Sequence, residues 1–328
     1  MTERLLLRGV AALPVALRES CLAAVLAHQE ADGGFRGRDG AADDWYTDFA
    51  VRVLALTAGA DDARQRASAW LAQRTTRPID IAAAHARANA AFALNLLGQR
   101  TPLAVSAIRA VLAAQTVPGG YALPGERRPS VSQGFLADHT WRLLGRPLPD
   151  RQQVIATVLA QQRTDGGFAD SGADSASQGN ATAAALTFLA RHQALEPAAD
   201  RATAFVAALQ ADDGGLRAHA GLPQGDLLAT FTGVWALATC GRLDRPRLGD
   251  LGRFVQACRN NHGFGACPGD PGSDPEYVFY GLATLGLLAA RAGCGTARSR
   301  PWPGLRGLRG MLLAWPSTRR LGWRLIGG

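Results

Sequence analysis

Gln162-Arg163-Thr164-Asp165-Gly166-Gly167-Phe168 is a phrase that this chain repeats, whole or worn, along most of its length. It reads Gln29…Asp32-Gly33-Gly34-Phe35, Gln115…Gly119-Gly120-Tyr121 and Gln210…Asp213-Gly214-Gly215-Leu216, and degenerates to Cys258…Asn261-His262-Gly263-Phe264. The first-glycine positions are spaced by 86, 47, 48 and 48 residues. The first interval is nearly two periods, so one copy has lost its glycines near Thr76 to Asp80. A fixed period of this size marks stacked supersecondary units. Within each unit the glutamine is expected to bond a helix end or the neighbouring repeat. The glycines are expected to turn the chain and close a helix, and the aromatic to plug the gap between repeats.

Between the phrases the pattern is helical. Stretches such as Ala50–Leu56 and Tyr280–Leu285 are rich in alanine and leucine, with too few β-branched residues for strands. Helices leading into a phrase are placed near 15–29, 62–73, 103–115, 150–162, 197–210 and 246–259. Helices following one are placed near 46–58, 80–97, 131–144, 177–192, 226–240 and 274–291, often after an Asp, Ser or Asn suited to capping. The first set is more charged and the second more apolar on all sides. An outer ring of amphipathic helices around an inner apolar ring follows: an all-α, six-hairpin α/α toroid over residues 1–292, with a separate tail over 293–328.

The 328 residues carry a net charge of +8, but the eight arginines from Arg291 onward, with no acid among them, account for all of it. The body is neutral and has no clustered nucleic-acid footprint. Five cysteines, Cys21, Cys240, Cys258, Cys267 and Cys294, include no CxxC pair, which points to a reducing, cytoplasmic setting. No uncharged run reaches the roughly 18 residues of a membrane span. The tail interleaves Trp302, Trp315 and Trp323 with arginines. That pattern suits the headgroup region of an anionic membrane and a place on its inner face.

Six helical hairpins of this kind resemble the toroid of protein prenyltransferase β subunits and squalene-hopene-type cyclases, over residues 15–291. The likeness rests on the phrase, on Gly33–Arg38 with Asp44–Thr47, and on Asp274-Pro275-Glu276-Tyr277-Val278-Phe279-Tyr280-Gly281-Leu282, which is similar to the prenyltransferases' final-repeat motif. The resemblance implies an isoprenoid substrate in a central apolar cavity, and a helical α-subunit-like partner of the sort the β subunits use. It also implies a zinc ion held by an Asp, a Cys two residues later and a late His. At those positions stand Asp226, Leu228 and Tyr277, so no zinc of this type is expected; magnesium stays open. The diphosphate positions of the family carry Gln178 and His219, and the cyclases' D-x-D-D acid is absent.

What remains is a set of carboxylates at inner-helix starts, Asp44, Asp226 and Asp274. In a closed ring, Asp44, Asp48, Asp274, Glu276 and Tyr277 meet at one end of the cavity. Asp44, Asp226, Asp274 and Tyr277 are therefore the candidate catalytic residues; the opposing reading makes each Asp a helix N-cap. Arg38, Tyr46, Asp48, His139, Gln178 and His219 are the candidate substrate contacts, and His85 and His139 are each expected to face the cavity. The leading expectation is an isoprenoid-handling enzyme diverged from both site types; the other is a non-catalytic toroid scaffold.

Overall fold

The computed structural model describes residues 2–57, 59–172, 175–196 and 198–293. Its inner ring consists of α3 (Asp44–Leu56), α5 (Ile81–Leu96), α7 (Val131–Leu143), α9 (Gly179–Arg191), α11 (Leu227–Thr239) and α13 (Pro275–Gly293). Its outer ring consists of α2 (Val15–Leu26), α4 (Asp61–Ala72), α6 (Val105–Ala114), α8 (Arg151–Ala160), α10 (Ala199–Ala208) and α12 (Leu248–Ala257). Each inner helix packs on the next, and α13 packs on both α11 and α3, which closes the circle. The predicted toroid is present, with all twelve helices starting within two residues of expectation.

The phrase builds each hairpin by one mechanism. Gln29, Gln162 and Gln210 each donate through Nε2 to the phrase's own glycine carbonyl and to a carbonyl at the start of the next outer helix, Ala63, Ala198 and Arg247. Asp32, Asp165 and Asp213 accept from the backbone N–H two residues on, at 3.0, 3.0 and 2.9 Å. The backbone of Phe35, Phe168 and Leu216 donates to Thr47, Thr182 and Thr230 of the following inner helix at 2.9, 2.8 and 2.9 Å. Phe35 and Phe168 are wholly buried. Each buried aromatic contributes about 1.5–3 kcal/mol.

Contrary to the expectation from sequence, the glycines do not close the outer helices; α2 ends at Leu26, well before Gly33. Gly33, at φ +99°, instead makes a tight turn pressed on the next outer helix, where a Cβ would lie 2.5 Å from the Arg66 carbonyl oxygen. The third and sixth copies, at Gln115 and Cys258, replace part of this with two-residue antiparallel ladders, β1 (Thr116–Val117) with β2 (Gly120–Tyr121) and β3 (Arg259–Asn260) with β4 (Gly263–Phe264). The copy that has lost its glycines is held by a side chain: Arg87 Nη1 donates to the Arg74 and Thr76 carbonyls at 3.1 and 2.6 Å.

An additional helix, α1 (Thr2–Ala12), precedes the hairpins and was not anticipated. It bends by 107° into α2 and lies along α13, burying Leu6 and Val10. Gly9 and Gly286 make the approach possible, since a Cβ on Gly9 would overlap the Gly286 carbonyl. Among the described residues no single helix is long and apolar enough to cross a membrane.

Candidate active site at the ring seam and lumen

The ring closes where the first repeat meets the last. Asp274 caps α13 by accepting from the Tyr277 amide at 3.0 Å, and its other oxygen accepts from Arg38 Nε at 3.1 Å. Arg38 also donates to both oxygens of Asp270, at 3.2 and 2.8 Å, and its guanidinium lies 5.3 Å from the Tyr277 ring centroid. The Arg38 hydrogen bonds, with amides of Ala266 and Gly272, hold the Asp270 carboxyl down at about 2. Burial pushes the Tyr277 phenol up to about 12, with Glu276 and Asp226 adding to it. Tyr46 lies beside Gly37 in the same seam.

Glu276 bridges the seam from α13. Its Oε2 accepts from Trp45 Nε1 at 3.0 Å and its Oε1 from the Tyr280 hydroxyl at 2.9 Å. Both donors favour the carboxylate, yet burial outweighs them and raises its pKa above the ordinary glutamate value. Around it stands an aromatic wall: Phe49 meets Phe279 at 5.6 Å and Tyr280 at 5.2 Å, and Phe231 stacks on Tyr280 at 5.0 Å.

Deeper on α3 and its neighbours lies a buried polar layer, larger than the two cavity-facing histidines expected from sequence. Asp48 accepts from Arg52 and from Asn89 Nδ2, the latter at 2.6 Å, with all three side chains buried. Burial raises the Asp48 pKa despite those partners. His85 Nε2 lies 2.7 Å from His139 Nδ1, and burial holds both imidazoles well below their usual pKa. Asp138 pairs with Arg191 and lies 3.2 Å from His192 Nε2. Burial favours protonation of Asp138, but Arg191 and His192 outweigh it and lower its pKa.

The seam thus gathers Arg38, Tyr46, Asp274 and Tyr277, with Asp226 near enough to act on Tyr277. Asp44 does not join them. The cap of α3 is Asp43, which accepts from the Tyr46 amide at 2.8 Å. The Asp44 carboxylate turns to Arg87 in a two-point pair at 3.0 and 2.7 Å. Asp48 and His139 lie in the buried polar layer instead. Asp226 is an N-cap, accepting from the Ala229 amide at 2.7 Å. Gln178 is exposed at the start of α9 and makes no side-chain cap bond, and His219 is exposed on a loop, where its Nδ1 accepts from the Gly221 amide at 3.2 Å. The two segments adjoin, since the Gly179 amide donates to the Ala218 carbonyl at 2.7 Å.

A small cavity of about 70 Å³ opens on the opposite wall of the lumen. Phe135 and Leu136 of α7, Ala183 and Ala184 of α9, and Leu228 and Trp235 of α11 form its apolar walls; Ser132, Asn180, Thr187 and Thr232 also line it. Leu228 offers no lone pair to a metal, so Asp226, Leu228 and Tyr277 do not fit a zinc ion. Among the described residues no three His, Cys, Asp or Glu side chains gather for any metal.

The sequence reading did not single out Arg52, Arg87, Trp45 or Tyr280 as site residues. Its available signal was the i,i+4 spacing of Asp48 with Arg52 and of Glu276 with Tyr280 on helices otherwise apolar all round. The tail, with its expected membrane contact, lies outside the described residues.

The profile of the prenyltransferase alpha-alpha toroid domain matches residues 4–87 and 90–310. No curated protein matches. Among solved structures, a variant of the type II terpene cyclase MstE from Scytonema, bound to its substrate geranylgeranyl dihydroxybenzoate, is similar. It has 16% identity and a TM-score of 0.60, over 88% of this chain and 98% of that one. Candida albicans protein geranylgeranyltransferase-I complexed with GGPP shares 14% identity and a TM-score of 0.58, over 73% and 82%. A glycosidase shares 14% identity and a TM-score of 0.57, over 88% and 98%. At such identities the likeness is one of fold, and that fold carries more than one chemistry.

Proposed function

Since the chain belongs to the prenyltransferase alpha-alpha toroid domain family, we propose that it binds an isoprenoid ligand with its hydrocarbon chain in the lumen pocket between α7, α9 and α11, and acts on it by proton donation from Glu276. The observation that carries this reading is the pocket itself: an apolar cavity inside a closed ring, with Leu228 making a wall where the family's zinc cysteine would stand. Pockets of this kind take apolar ligands and orient them with a few polar groups.

Glu276 has the chemistry for the second part. A carboxyl whose pKa is raised by burial stays protonated nearer neutrality and can serve as a general acid. Transfer of its proton to an alkene carbon forms a C–H bond and leaves a carbocation and the Glu276 carboxylate. The Trp45 N–H and Tyr280 O–H already solvate that carboxylate. A diphosphate head finds less support at the seam, because Arg38 is engaged by two carboxylates and Arg87 by Asp44.

The test is incubation with labelled prenyl diphosphates, prenyl alcohols and prenylated aromatic acids of several lengths, with and without divalent cations. Binding and a new product are expected with at least one class. Glu276→Gln is expected to keep affinity within about twofold and to lower turnover by about 100-fold or more. Failure of every ligand to bind would leave the chain a scaffold.

A further inference from the structure

The lumen pocket keeps its free hydrogen-bonding groups at the rim. Ser132, Asn180 and Leu228 are the second residues of α7, α9 and α11, and Thr187 and Trp235 lie two helical turns further in. Two turns rise by about 10 Å, which gives the narrow cavity its depth. Thr187 spends its hydroxyl on the Ala183 carbonyl, and Thr232 donates to Asn180 Oδ1 at 2.8 Å. The second bond fixes the Asn180 carboxamide with its oxygen toward α11. The amide nitrogen of this half-buried side chain carries two N–H donors and has no partner among the described residues. Across the mouth, the Ser132 hydroxyl has none either.

The surroundings of the rim are unsuited to an anion. No charged side chain lines the pocket. The helix starts beside the mouth are already served by carboxylates. Asp170 accepts from the Ser132 amide at 2.9 Å and from Ser130 Oγ at 2.6 Å, and Asp226 caps α11 through the Ala229 amide. Those two carboxylates offset the positive ends of α7 and α11. An anionic head group meets their repulsion and no countercharge from the walls, whereas an uncharged oxygen meets a free donor.

We propose that Asn180 selects the ligand's head group: its carboxamide nitrogen donates to an uncharged acceptor oxygen, that of an alcohol, ether or carbonyl, and the pocket discriminates against a diphosphate. This rests on the lumen reading for the hydrocarbon part of the ligand and adds the chemistry of the head. The head sits at the mouth, and the end of the chain lies inward beside Thr187 and Trp235.

The experiment compares geraniol, geranyl methyl ether, geranyl diphosphate and the hydrocarbon myrcene on the full chain by calorimetry. Geraniol and the ether both accept a hydrogen bond, so they should bind within about twofold of each other and about 2- to 10-fold more tightly than myrcene. Geranyl diphosphate should bind more weakly than geraniol. Asn180→Leu should erase the advantage of geraniol over myrcene; the Thr232 hydroxyl still has the Leu228 carbonyl at 3.0 Å, so the fold is kept. Asn180→Asp keeps an oxygen toward Thr232 but replaces the donor with an acceptor. It should weaken the ether by about tenfold and geraniol, whose O–H can donate, by no more than about threefold. Lost packing alone would not split the two. Ala184→Trp, which fills the cavity, separates the two levels of the reading. If it weakens every ligand while wild type binds geraniol, ether and myrcene alike, the lumen reading stands and the role of Asn180 falls. Binding that is indifferent to Ala184→Trp, or no binding by any of the four, overturns both. A wild type that prefers the diphosphate to geraniol, or geraniol to its ether, overturns the head-group assignment.

Discussion

The bond between His85 and His139 sets a condition on the residue scale: at 2.7 Å in a buried layer, both rings are neutral, because burial and the charges of Arg52 and Arg191 disfavour imidazolium. In the unfolded chain the same rings titrate near their ordinary value of 6.5. Below that pH the unfolded state binds more protons than the folded one, so stability falls as pH falls. Two such groups give a slope of about 2.7 kcal/mol per pH unit. Asp48 acts the other way: its folded pKa is raised, so the stability it contributes is present below the ordinary value of 3.8 and is lost as pH rises above it. Asp48 offsets part of the histidine loss only where its carboxyl is still protonated in the fold, so a net loss of up to about 2.7 kcal/mol per unit is expected below pH 6.5. Urea unfolding at a series of pH values between 5 and 8 measures it. The double variant His85→Phe/His139→Phe should abolish the loss of stability on acidification, and a wild-type that loses none would mean the rings are charged or solvated in the fold.

On the scale of single elements, the hairpin phrase and α1 show how much the sequence can tell. Gln, Asp, the left-handed glycine and the inner-helix threonine are local devices, and local devices leave a pattern: each glutamine reaches only its own turn and the next outer helix. Thr47→Val keeps the shape but leaves the buried Phe35 amide without an acceptor, a loss of about 1–3 kcal/mol that chemical denaturation would register. The inner-helix starts were legible for the same reason, as Asp80, Ser130 and Asp226 are ordinary caps. Asp43 and Asp44 stand side by side, and remote arginines, Arg87 above all with Arg74 beside it, decide which caps and which pairs. No sequence rule reaches that far. Helix α1 escaped notice because its partner is remote: Gly9 has meaning only against Gly286. Gly9→Val should therefore lift α1 from α13 and expose residues 2–12 to rapid amide exchange, while the hairpins keep their protection.

Across the whole molecule, ring closure turns twelve similar helices into a site with distinct sides. Only the seam joins repeats far apart in sequence, so only there do Trp45 and Glu276, or Arg38 and Asp270, become neighbours. Aromatic side chains fill the wall on either side of that seam, and small ones, Ala183 and Ala184, leave space opposite. The asymmetry predicts where a ligand's hydrocarbon chain can be lengthened or stopped. Ala184 is partly buried, carries no hydrogen-bonding role in its side chain, and faces the cavity between Phe135 and Leu228. Ala184→Trp adds bulk where there is empty space rather than packed core, so the fold should survive with a loss of no more than about 1–3 kcal/mol. Ligand affinity should fall by at least about tenfold, most for the longest chains. Trp235→Ala should do the reverse and admit a longer chain, at a cost of about 3–5 kcal/mol in stability. Affinity measured across prenyl alcohols of increasing length, for the wild type and both variants, distinguishes the outcomes. Length dependence that moves in opposite directions assigns the cavity to the hydrocarbon chain, whereas identical profiles in all three proteins would place the binding of such ligands outside the ring.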